Sequence, residues 1–199
     1  MKRINTLFLL CTLFAITISC KKEFKYKYQD KPQLIECPGV DKALIHEALY
    51  SFQEDIANYY ADGDARPGSN RFYINGLAQF VYIGMMGEAD YVNIASEHTV
   101  AVLELLEKEP DLFDRAGQYS NLHHSGEFVS CLFENFYDED LQKQFVTFNK
   151  ANYVNPKQLA GPLRSQVHKV FTDQHLAMYI SLEAFYQKML DIDLSDVSD

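Results

Sequence analysis

Residues Arg71–Met86 read RFYINGLAQFVYIGMM. After Arg71 the stretch carries no charge, and only Asn75, Gln79, Gly76 and Gly84 interrupt its apolar run. A helix that is hydrophobic on all sides is a buried helix. The run is too short to span a bilayer, which takes about 20 apolar residues. It predicts the central helix of a bundle, with the other helices laid around it. Gly76 and Gly84 lie a little over two turns apart and predict a side on which a neighbour can come close.

The flanking sequence is helical in both directions. Upstream, Ile45, Leu49, Phe52, Ile56 and Tyr59 recur at spacings of four and three, with Asp41 placed as a cap. Glu47, Glu54 and Asp55 take the other side. Residues Ala61–Gly68, ADGDARPG, form a loop by composition. Ser69 or Asn70 then caps the central helix, and Gly87 ends it. Downstream, Tyr91, Ile94, His98, Ala101 and Leu105 make the stripe of a helix over Glu88–Lys108, stopped by Pro110. Further helices are predicted over Ser120–Tyr137 and from Asp138-Glu139-Asp140 onward. A loop follows at Tyr153–Pro162. The longest helix is predicted over Leu163–Leu190, with Val167, Phe171, His175, Met178, Leu182, Phe185 and Met189 inward. No strand pattern competes. The expected fold is all-α: one globular bundle of about six helices over residues 39–190, with an acidic, disordered tail at 191–199.

The first 19 residues have a different character. Met1–Asn5 is basic, and Leu7–Ile18, LFLLCTLFAITI, is an apolar stretch of signal-peptide length. The run Ile16-Thr17-Ile18-Ser19-Cys20 resembles the lipobox of bacterial lipoproteins. Ile18 and Ser19 fit the pattern, whereas Thr17 stands where Leu, Val or Ile is usual. The resemblance implies that residues 1–19 are a lipoprotein signal peptide and that Cys20 is lipidated as the first mature residue. It also implies attachment to a bacterial membrane through the acyl chains, most naturally the outer membrane, facing periplasm or cell surface. Residues 20–38 show no helical period and read as a flexible tether. Cys11 leaves with the signal, so Cys37 and Cys131 remain. In an oxidising compartment they can pair, but Cys131 also fits an apolar helix as a buried free thiol.

From Cys20 onward there are 16 basic against 28 acidic side chains, a net charge of −12. Such a domain repels nucleic acid and favours a basic protein partner. Tyr59, Tyr60, Tyr119, Tyr137, Tyr153 and Tyr186 fall at helix ends or beside acids, a composition suited to such a partner.

Chemistry-bearing residues are sparse. His98 and His175 lie on apolar stripes, and His168 sits two turns before His175. Brought together with His124 and Glu127, they could hold zinc or iron inside a bundle. No Glu-x-x-His pair of the di-iron bundles occurs, and hydrogen-bonded core histidines are the simpler expectation. There is no Gly-x-Ser-x-Gly and no glycine-rich phosphate loop. The preferred expectation is therefore a non-catalytic, cofactor-free binding domain on a lipid anchor, immunity- or scaffold-like. The alternative is a metal- or small-ligand-binding bundle, an enzyme among the options, built on the interior histidines.

Overall fold

A computed structural model describes residues 24–60, 66–151 and 153–197. Cys20 and the signal peptide lie outside the described residues. Among those described the fold is all-α and compact, with a single isolated bridge between Phe113 and Leu122.

The helices are α1 (Lys42–Tyr59), α2 (Asn70–Met86), α3 (Tyr91–Ile94), α4 (Glu97–Leu106), α5 (Glu127–Glu134), α6 (Glu139–Lys150), α7 (Pro156–Ser165), α8 (Val167–Thr172) and α9 (Gln174–Ile180). The last runs on through a π-helical segment, Ser181–Tyr186, into the short α10 (Gln187–Met189). Local chemistry sets the starts. Asp41 accepts from the Leu44 amide, Ser69 from Phe72, Ser96 from Thr99 and Asp138 from Leu141. Gly87, at φ +77°, closes α2 in the left-handed region.

The helix over Arg71–Met86 forms as expected and touches α1, α7, α8 and the π segment. A Cβ on Gly76 would stand 2.8 Å from the Ala57 Cα of α1, so the missing side chain sets how closely these helices approach. However, α2 is not buried on every side: Ala78 and Gln79 are exposed. The element enclosed all round is the C-terminal one, where every residue from Leu176 to Gln187 is buried. Its interior polar groups hid that from the hydrophobic pattern. Ser181, Glu183 and Gln187 are each hydrogen-bonded inside, and burial becomes affordable only with those partners in place.

The predicted long helix is broken: its first residues end α7, which starts at Pro156 inside the predicted loop, and α8 and then α9 with its π-helical and α10 continuation follow. Asp173 turns its carboxylate onto the amides of His175 and Leu176 and so starts α9 afresh, while its other oxygen accepts from the Tyr137 amide at 2.7 Å. The helix predicted from Ser120 begins only at Glu127. Before it, residues 111–126 form a loop pinned by pairs such as Asp114 N–H to Asn121 O and His123 N–H to Leu112 O.

The tether reading changes for Phe24–Pro38. This segment lies along α1 and α4 as part of the fold, with Tyr28, Ile35 and Cys37 buried. The buried Glu47 carboxylate accepts the backbone amides of Lys27 and Tyr28, and His46 Nε2 donates to the Tyr28 carbonyl at 2.7 Å. Cys37 is disulfide-bonded to Cys131 on α5, which resolves the open pairing and bolts the segment's end to the bundle. With no helical period and many charges the stretch looked like a linker. Its fixation comes from groups far along the chain.

Candidate functional site

The loop before α5 and the turn before α7 enclose a polar cleft of about 290 Å³. Its lining includes Asp114, Tyr119, His123, His124, Ser125 and Val154. A shallower depression of about 220 Å³ adjoins it and shares Gly117, Tyr119 and Ser120. A concave site with convergent polar groups is the natural place to look for function.

His124 stands at the cleft with its ring beside those of Phe133 and Tyr179, which also touch each other. Its Nε2 donates to Glu183 Oε2 at 2.6 Å. Glu183 is fully buried, and its other oxygen accepts from Gln187 Nε2 at 3.1 Å. Glu183 belongs to the π-helical segment, and such widened turns recur at functional sites.

His123 is oriented differently. Its Nδ1 faces two acceptors on one residue, Asp111 Oδ1 at 3.0 Å and the Asp111 carbonyl at 3.3 Å. Two acceptors at one ring nitrogen require a proton there, so Nδ1 carries it. The opposite nitrogen, Nε2, is 3.1 Å from Ser125 Oγ, and in the neutral ring it is the acceptor of that hydroxyl. Gly126 makes room for this arrangement. A Cβ there would come within 2.8 Å of the Asp111 carbonyl and 3.1 Å of His123 Nδ1. The sequence pattern does not reveal the set, because Asp111 and Ser125 carry no motif and Ser120–Tyr137 reads as one helix; the only hint is the run His123-His124-Ser125-Gly126.

The residues of the alternative metal set do not come together. His98 lies on α4, where its Nε2 donates to Glu47 Oε1 at 2.6 Å and its ring stacks on Phe24. His175 sits at the start of α9, with Nδ1 4.0 Å from Asp173 Oδ1 and no hydrogen-bond partner. Burial lowers its pKa, against the opposing charge of Asp173. His168 and Glu127 are exposed. Of the five residues only His124 lines the cleft. Among the described residues no three His, Cys, Asp or Glu groups are placed to hold a metal ion.

The tyrosines divide. Tyr59, Tyr119, Tyr137 and Tyr153 are exposed. Tyr186, expected at a helix end beside acids, is instead fully buried, its hydroxyl donating to the Ala48 carbonyl at 2.9 Å. Tyr119 lines the cleft, and Tyr153, next in sequence to the lining residue Val154, meets its ring edge to face with centroids 6.1 Å apart.

Compared with known proteins, the chain matches no family model, no curated protein and no solved structure.

Proposed function

We propose that this chain is a membrane-anchored bacterial lipoprotein whose acidic helical domain binds a basic protein partner across the cleft face, in the manner of an immunity or scaffold protein. The observation that carries the reading is the margin itself. Tyr119 and Tyr153 are exposed and in mutual contact beside a polar cleft lined by Asp114. Tyrosine supplies contact area at small entropic cost, and its ring face attracts Arg and Lys. The net charge of −12 from Cys20 onward steers such a partner inward.

The anchor fits the same reading. Three residues separate Cys20 from Phe24, which already packs on the domain. A lipid on Cys20 therefore holds the folded domain within about 14 Å of the bilayer, the reach of four extended residue steps. Fatty-acid labelling tests this half: label in the full chain and none in Cys20→Ala is expected, and label retained by Cys20→Ala defeats it.

The binding half is tested with the purified domain as bait for basic proteins of the same compartment. Retention of one such protein should weaken as salt rises and vanish in Tyr119→Ala/Tyr153→Ala. Retention that ignores both changes removes the reading. A second reading, a small polar ligand held against His124, is favoured by the cleft volume and by the Glu183 pair that fixes the ring. Calorimetry with candidate ligands, using His124→Gln as control, distinguishes it.

A further inference from the structure

We propose that Ser125, with His123 as base and Asp111 as its orienting acceptor, is a nucleophile for acyl transfer, acting on small carboxylic esters in the cleft. This activity goes beyond partner binding and does not depend on it.

The first support is the tautomer. A histidine can accept a serine proton only through a bare ring nitrogen, and which nitrogen is bare is set by the bond at the other. Here the Asp111 carboxylate and carbonyl both take Nδ1–H, at 3.0 and 3.3 Å. In the neutral imidazole Nε2 is then the bare nitrogen, and Ser125 Oγ lies 3.1 Å from it. Nucleophile, base and orienter follow in the order that serine-type acyl transfer requires, and the constellation is recognised by these roles rather than by chain order.

The second support is position. Ser125 and His123 both line the cleft, so a carbonyl carbon seated there has access to Oγ. Its volume of about 290 Å³ suits a short acyl group.

The step balances without any further reagent. Oγ bonds to the ester carbonyl carbon as its proton passes to His123 Nε2. The tetrahedral intermediate then expels the alcohol, which takes that proton as the carbon–alkoxide bond breaks, leaving acyl-Ser125. Water repeats the sequence: its proton goes to Nε2, its oxygen bonds to the acyl carbon, and the carbon–Oγ bond breaks as Oγ recovers the proton. The products are a carboxylic acid and the alcohol.

Exposure sets the expected strength. Asp111 is 55% exposed at its side chain and His123 31%, so water screens their pairing. The relay should therefore be a weak one, and Asp111→Asn should slow it by about tenfold, the value of one modest hydrogen bond.

The test uses the folded, disulfide-intact chain with a fluorophosphonate probe and with p-nitrophenyl acetate. Expected are one phosphonyl adduct per chain, mapped to Ser125, and ester hydrolysis that falls to the solvent background in Ser125→Ala and by about 100-fold in His123→Gln. Thermal melts should show both variants folded, since the altered side chains are not in the core. Wild-type protein that forms no adduct, an adduct on another residue, or hydrolysis unchanged in Ser125→Ala overturns the proposal. The wild-type labelling result stands even if a variant misfolds.

Discussion

Glu47 and Glu183 are both fully buried carboxylates, and each is held by one histidine at 2.6 Å. Breaking a buried pair strands the other charge, which costs about 3 kcal/mol or more. His98→Leu should therefore destabilise the fold by about that amount, although an apolar residue fits its stripe. A denaturant melt showing a loss below about 1 kcal/mol would mean that Glu47 is satisfied by the Lys27 and Tyr28 amides alone. His175 is the contrasting case. Its Nδ1 has no partner, and burial holds its pKa below the 6.5 of a free histidine. The unfolded chain therefore binds its proton first on acidification. The neutral, folded form is fully favoured above pH 6.5, and stability falls as pH drops below that value toward the lower folded pKa. His175→Leu should flatten this fall relative to wild type; an unchanged slope between pH 7 and 5 would show that His175 is not its source. Helical spacing identified both histidines as inward. It could not show that one is hydrogen-bonded to a buried carboxylate and the other is not, because Glu47 lies 51 residues from His98 on a side of α1 that reads as solvent-facing.

Among the elements, α2 was the most legible, because an uncharged apolar run has few other places to go. Phe80 on α2 packs edge-on against Phe52 and Phe185. Phe80→Ala should cost about 3–5 kcal/mol through cavity formation. A loss under about 1 kcal/mol would remove α2 from the core. The segment Phe24–Cys37 was illegible for a physical reason. It is held by backbone amides on a distant carboxylate and by a disulfide, and neither leaves a periodic trace. The Cys37–Cys131 bond closes a separation of 94 residues. By loop-closure entropy its removal should cost on the order of 4 kcal/mol. A Cys37→Ser/Cys131→Ser protein should also expose the amides of Lys27 and Tyr28 to faster hydrogen exchange. Unchanged exchange there would mean that Glu47 holds the segment without the bond.

At the scale of the whole molecule, acidic charge and exposed tyrosines were visible in the sequence, but their grouping was not. Residues 111–119 have no period and 120–126 read as the start of a helix, so nothing along the chain announced that the loop 111–126 meets Val154 and forms a cleft beside Tyr119 and Tyr153. The functional account rests on that grouping rather than on tyrosine exposure alone. Tyr137 provides the internal comparison: it is 69% exposed with its ring facing His175, whereas Tyr119 lines the cleft and Tyr153 touches Tyr119. The direct measurement is site-specific photo-crosslinking in intact cells, with a photoreactive residue at position 119, 153 or 137 of the full chain. Positions 119 and 153 should capture the same basic protein, and position 137 should not. Capture of that protein equally from position 137, or of nothing from 119 and 153, would contradict the cleft face as the binding site.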